Sequence, residues 1–138
     1  MIEGNQFVAT VRDYFSFLEH EFGFIALQPK ILGNAFYEVR YKRAENLISV
    51  SYENIEDYLL VIVFRLARGK LPDYDDKTRT LHLNYLTAAV FKKVDSSEIK
   101  SNRNEFVQFK PDNPLARRLL KSATELRLCL RNLDCLLN

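Results

Sequence analysis

Hydrophobic and polar residues recur along this chain with two different periods. In residues 5–22, Phe7, Val11, Tyr14, Phe15, Leu18 and Phe22 stand three and four apart, the stripe of an amphipathic helix. Asn5 suits the cap of that helix, and Gly23 suits the left-handed residue after its end. Residues 24–27 are a short strand candidate ended by Pro29, and Gly33-Asn34 is the following turn. From Ala35 to Lys42 the period drops to two. Tyr37, Val39 and Tyr41 point one way, and Glu38, Arg40 and Lys42 the other. Residues 47–53 alternate again, with Ile48, Val50 and Tyr52 opposite Ser49, Ser51 and Glu53.

Residues 57–67 are apolar on both faces. Tyr58, Leu60, Ile62, Phe64 and Leu66 share one face, and Leu59, Val61 and Val63 share the other. The expectation is that Leu59, Val61 and Val63 lie where the neighbouring strands show charge and serine. A helix of this chain, a second copy or another protein must then cover them. Short links between the strands favour an antiparallel meander with this strand the most buried.

Beyond it, residues 68–77 form a charged loop with Pro72, and residues 80–83 a brief extension. Residues 84–94 predict a helix with Tyr85, Leu86, Ala89 and Val90 inward. Residues 95–104 are polar and read as a loop, before Phe106, Val107 and Phe109 anchor the chain again. Asp112 or Asn113 caps the last helix, with Pro114 in its first turn. Its stripe is Leu115, Leu119, Ala123, Leu126, Leu130, Leu133 and Leu137, widened by Leu120, Leu128 and Leu136. The predicted architecture is α+β: an N-terminal helix, an antiparallel β-meander of three to four strands and two C-terminal helices, as one domain over residues 1–138.

Composition narrows the function classes. With 20 Lys and Arg against 18 Asp and Glu, the net charge is +2, too balanced to signal a nucleic-acid or membrane partner. Residues 1–67 hold 6 basic and 9 acidic side chains, net −3; residues 68–138 hold 14 and 9, net +5. The second half is therefore expected to carry a modest basic surface. Cys129 and Cys135 on one helix stand about 9 Å apart along its axis and about 120° apart around it, so they do not pair. Two free thiols, no signal-peptide pattern at the N-terminus and no long apolar run predict a cytoplasmic protein.

Motifs that carry chemistry are few. The sequence holds no Gly-rich phosphate loop, no Gly-x-Ser-x-Gly, no His-Glu-x-x-His and no Cys-x-x-Cys. His20, His82 and a cysteine could make a zinc site only if the fold gathered them; His20 otherwise reads as an exposed helix residue and His82 as a strand-end residue. Asp73-Tyr74-Asp75-Asp76 starts like a calcium loop but lacks its later ligands, so it reads as a solvated or partner-binding loop. No catalytic residue, metal ligand or cofactor is expected.

Two surfaces remain as candidates. Glu38, Arg40 and Lys42 with Asp73, Tyr74, Asp75 and Asp76 are the candidate partner-binding residues. Leu126, Leu130, Leu133 and Leu137 are the candidate self-association residues, because nothing follows them in sequence to cover so broad a stripe. Arg117, Arg118, Lys121, Arg127 and Arg131 are expected on the solvated sides of the same helix.

Phe15-Ser16-Phe17-Leu18, Phe22-Gly23-Phe24, Val39-Arg40-Tyr41 and Ile48-Ser49-Val50-Ser51-Tyr52 follow one another across residues 7–67. In this order they resemble small bacterial α+β proteins, among them immunity-type proteins that bind and block toxins. The resemblance implies a non-enzymatic, partner-binding role and transfers no functional residue. The leading expectation is a non-catalytic module that binds another protein. The alternative is a homo-oligomer, such as a homodimer, assembled through the last helix, ahead of an enzyme with an unrecognised site or a nucleic-acid binder. No membrane partner is expected.

Overall fold

The computed structural model describes residues 2–132. It is an α+β fold in which one antiparallel sheet carries helices on a single face. The N-terminal stripe forms two helices rather than one: α1 (Gly4–Tyr14) and the single turn α2 (Phe17–His20). The Phe15 N–H still reaches the Val11 carbonyl at 2.8 Å, but the next bonds span only three residues, as from the Leu18 N–H to the Phe15 carbonyl at 3.0 Å. The break re-aims Phe17, whose ring meets Phe22 and Phe106 edge-on with centroids 6.1 and 5.8 Å away.

Six strands follow: β1 (Ile25–Ala26), β2 (Lys30–Leu32), β3 (Phe36–Arg43), β4 (Asn46–Glu53), β5 (Tyr58–Arg65) and β6 (Thr80–His82). Their order is β1-β3-β4-β5-β6, with β2 also on the outer edge of β3. The meander of the three long strands is as expected; the added edge strand β2 lies between Pro29 and Gly33 and is too short to show a period. The β3–β4 turn is tight, with Arg43 opposite Asn46 and Ala44 at φ 50°. The β4–β5 turn is longer, with Glu53 opposite Tyr58.

That second turn sets the faces. It pairs Ile48 with Val63, Val50 with Val61 and Tyr52 with Leu59. Leu59, Val61 and Val63 therefore join Tyr37, Val39 and Tyr41 on the apolar face, against expectation. The residues left beside Ser49, Ser51 and Glu53 are Tyr58, Leu60, Ile62 and Phe64. Whether a residue of β5 faces in or out is fixed by the number of turn residues between the paired ends, and one residue more would reverse every side chain.

The apolar face is covered by α1, α3 (Leu83–Phe91) and α5 (Pro114–Asn132). Phe7 lies between Tyr37 and Tyr52, with ring centroids at 5.7 and 6.0 Å. Leu119, Ala123, Leu126 and Leu130 fill the other half of the core. Gly4 opens α1 where a Cβ would stand 2.8 Å from Ile31 Cγ2, so any larger residue there would push the Ile31 side chain aside. Asn113 caps α5, its Oδ1 accepting the Ala116 N–H at 2.8 Å, and Pro114 occupies the first helical position.

Residues 96–104 are not a loop but a third C-terminal helix, α4 (Ser96–Asn104). Asp95 caps it, accepting the Glu98 N–H at 2.9 Å. The helix is anchored by Asn102, whose Nδ2 donates to the Thr124 carbonyl at 2.9 Å. Arg127, expected in solvent, is buried where α2, α4 and α5 meet. Its guanidinium donates to Glu21 at 2.8 and 3.0 Å and to Asn102 Oδ1 at 2.8 Å. No described helix is long and apolar enough to cross a membrane.

Candidate functional site

The second face of the sheet is built by the same alternation that fills the core. Reading across the strands, Arg40 pairs with Ser49, Ser49 with Ile62 and Ile62 with His82. The next rows are Glu38, Ser51 and Leu60, and Lys42, Leu47, Phe64 and Thr80. Charge is thus concentrated on β3, hydroxyls on β4 and apolar groups on β5. Ile62 and Leu47 are buried by their neighbours on this face yet stand apart from the cluster under the helices. Among the described residues no helix packs on it. Ile25, Leu32 and Tyr58 extend the apolar surface to its margins, and each is more than half exposed.

The polar groups of this face are partly committed. The Ser49 hydroxyl donates to Glu38 Oε2 at 2.6 Å, holding that carboxylate down over β4. Arg40 and Lys42 have no ion-pair partner among the described residues. Their heads are therefore available to an incoming group, while their stems cover the sheet.

The loop of residues 66–79 folds back onto the β6 margin. The Thr80 hydroxyl donates to the Asp73 carbonyl at 2.8 Å, and Tyr74 lies edge-on to His82 with ring centroids 5.4 Å apart. His82 shares the row of Ile62 and Arg40, so the fold gathers the two halves of the candidate partner-binding set around one face. Asp73, Tyr74 and Asp75 are exposed. Asp76 turns inward along the loop. Its Oδ1 accepts the Thr78 hydroxyl at 2.7 Å and the Thr78 N–H at 3.1 Å, and these bonds, hydroxyl first, hold its carboxyl below the usual carboxylate range. Asp76 thus shapes the loop, and Asp73, Tyr74 and Asp75 are left exposed.

Of the self-association set, the two described residues are core rather than surface. Leu126 and Leu130 are 0% and 1% exposed within the single chain, packed on the sheet and α1 side of the core. The breadth of the stripe, which suggested a partner, is used up by the sheet on one side and by α3 and α4 on the other. Leu133 and Leu137, with Cys135, lie outside the described residues. Of the basic residues on α5, Arg118 pairs with Asp57 at 2.6 Å, and Arg131 with Glu21 at 3.1 Å.

A second polar group sits at the β4–β5 turn. Tyr52 donates its hydroxyl to Asp57 Oδ1 at 2.5 Å, and Arg118 holds the same carboxylate. The Tyr52 bond, then the Arg118 bond, lower the Asp57 pKa. Asp57 has φ 51°, a left-handed conformation that these two bonds stabilise. A carboxylate so neutralised is a fastening of the turn to α5, not a base. Among the described residues no group of three or more His, Cys, Asp or Glu is placed to hold a metal ion, so the fold does not gather His20 and His82 into one.

The β5 apolar face was legible in sequence as two-sided hydrophobicity; its pairing with charged β3 across the hydroxyl row was not, because it depends on register. In comparisons with protein families, with curated proteins and with solved structures, nothing matched this chain.

Proposed function

We propose that this protein is a non-catalytic binding module that receives another protein on the helix-free face of its sheet. One observation carries the reading. β5 sets Tyr58, Leu60, Ile62 and Phe64 on a face that no described helix covers, beside the charges of β3. Aromatic and aliphatic anchors surrounded by polar groups are the anatomy of a protein interface. Glu38 against Arg40 and Lys42 supplies both signs, which select the orientation of a partner more than they add affinity. Tyr58 on β5 and Tyr74 beside His82 of the neighbouring β6, both more than half exposed, are anchors of the kind that dominate such interfaces. The resemblance of residues 7–67 to immunity-type proteins supports the same class, with a toxin as the partner.

The test compares what is captured by the wild type, by Leu60→Lys and Arg40→Glu on the face, and by Lys92→Glu on the helix side, each checked for folding by circular dichroism. The expected result is a partner held by the wild type and Lys92→Glu and lost by both face variants, by about tenfold or more in affinity. A partner held equally by all four would overturn the reading.

A second reading is that the face receives a second copy of the chain. Its favouring observation is that the face carries both signs, so a twofold axis can set Glu38 of one copy against Arg40 of the other. Light scattering would then give twice the monomer mass for the wild type and the monomer mass for Leu60→Lys.

A further inference from the structure

On the helix layer, away from the sheet face, α4 and α5 enclose a cleft of about 500 Å³ with the end of α3. Its volume lies within the range of small-molecule sites. Its apolar lining is Ile99, Pro111, Leu120 and Leu128, with Phe91 at the mouth. The charged groups at its rim are Arg103, Arg117, Lys121 and Glu125. Glu125 pairs with Lys121 at 3.0 Å, which neutralises that pair. Arg103 and Arg117 have no ion-pair partner among the described residues, so the rim keeps two free guanidiniums.

The polar groups within the cleft are already satisfied by the protein. Asn102 spends its Nδ2 on the Thr124 carbonyl and its Oδ1 on Arg127, and the Thr124 hydroxyl donates to the Leu120 carbonyl. Each of these groups thus has a partner within the protein, and what they leave to a ligand is little beside the hydrocarbon and the guanidiniums. A ligand entering there finds hydrocarbon below and guanidinium above. Phe91, 46% exposed at the mouth, gains from being covered.

We infer that this cleft binds a free alkyl carboxylate: a linear hydrocarbon tail on the floor of Ile99, Leu120 and Leu128, with the carboxylate held by Arg103 and Arg117. The guanidinium fork matches a carboxylate in two parallel hydrogen bonds, which neither a lysine nor a single dipole offers. The tail buries apolar area against residues that leave no polar group stranded. A neutral amphiphile would gain only the second of these contributions.

The experiment is isothermal titration of the intact protein with octanoate, decanoate and dodecanoate, each below its micelle concentration, and with decanol as the uncharged control. Affinity is expected to rise about fourfold for each methylene buried, until the tail outgrows the cleft. Decanol should bind at least about tenfold more weakly than decanoate. Arg103 and Arg117 are both exposed, so the double variant Arg103→Ala/Arg117→Ala should stay folded and lose the preference for decanoate over decanol. A second variant, Phe91→Ser, should weaken all three alkanoates while keeping that preference. No heat with any alkanoate at two well-separated temperatures, affinity independent of chain length, or equal binding by the double variant and the wild type would each overturn the inference. None of these results bears on the sheet face, whose variants Leu60→Lys and Arg40→Glu should bind decanoate as the wild type does.

Discussion

Two buried side chains on the core side show how a single residue answers to its surroundings. Tyr41 is fully buried in β3, and its hydroxyl has no protein hydrogen-bond partner. Burial first, and then the Glu19 carboxylate, raise its pKa, while Arg12 opposes them. A buried hydroxyl without a partner costs free energy that a ring of the same shape avoids. Tyr41→Phe is therefore expected to leave stability unchanged or raise it by up to about 1 kcal/mol, read as the urea midpoint. A loss of stability beyond experimental error would contradict this. Cys129 is similarly enclosed at the α3–α5 contact, 3.9 Å from the Thr87 hydroxyl. Burial pushes its thiol from an ordinary value near 9 up to about 12, with Glu125 adding and Thr87 opposing. Only the unfolded thiol ionises between these values. Its contribution to stability is whole below about pH 9 and is lost as pH rises toward 12. Denaturation midpoints between pH 8 and 11 should fall with rising pH, and Cys129→Ala should flatten that slope. The buried Tyr41 acts in the same direction, so the slope should not vanish.

At the scale of elements, the helix layer is tied together by one cation. Arg127 on α5 holds Glu21 after α2 and Asn102 on α4, and its side chain is 9% exposed. Removing it leaves the partly buried Glu21 carboxylate with only its bond from Arg131, and the buried Asn102 oxygen without its donor. Arg127→Ala is expected to cost about 2–3 kcal/mol, below the full range for a buried pair because Glu21 retains some contact with water. Arg127→Met, which keeps the packing of the stem, should cost less. Equal losses in the two variants by chemical denaturation would show that the packing of the stem contributes nothing beyond the polar network. The same network explains why α4 forms from so polar a segment. Asp95 and Glu98 give it a capped first turn, and Asn102 anchors its last turn to α5. That capping pattern was present in the sequence, while the anchor was not, because its acceptor is a carbonyl twenty-two residues away.

For the whole molecule, the sheet has one defended face and one open face, and its strands differ in how many neighbours they have. β4 lies between β3 and β5 along its full length, with Asn46 to Tyr52 all buried. β1, β2 and β6 are two or three residues long and lie at the margins. Amide exchange should therefore be slowest in β4, followed by the inner halves of β3 and β5, and fastest in β1, β2 and β6. Uniform exchange across the sheet would show that the margins are more strongly held than their pairing implies. The sequence placed the greatest burial on β5. The structure places it on β4, whose Ser49 and Ser51 are buried although polar, because strands cover both of its edges and larger side chains close over its hydroxyls.

What the sequence determined by itself is what depends on neighbours in the chain. The period of two in residues 36–53, the period near 3.6 in residues 115–130 and the cap at Asn113 each rest on interactions within a few residues, and each is found in place. The tertiary structure alone decided three further things. It decided which side of β5 meets the helices, because one turn sets the parity of a whole strand. It decided that Leu126 and Leu130 are core rather than surface, because whether an apolar stripe is covered depends on elements distant in sequence. And it decided that Arg127 is buried while Arg103 and Arg117 are free, because the acidic partners of a cation are chosen by packing and not by spacing. The open face and the cleft with its free guanidiniums are both products of that second kind of decision, and so neither surface could be placed before the fold was known.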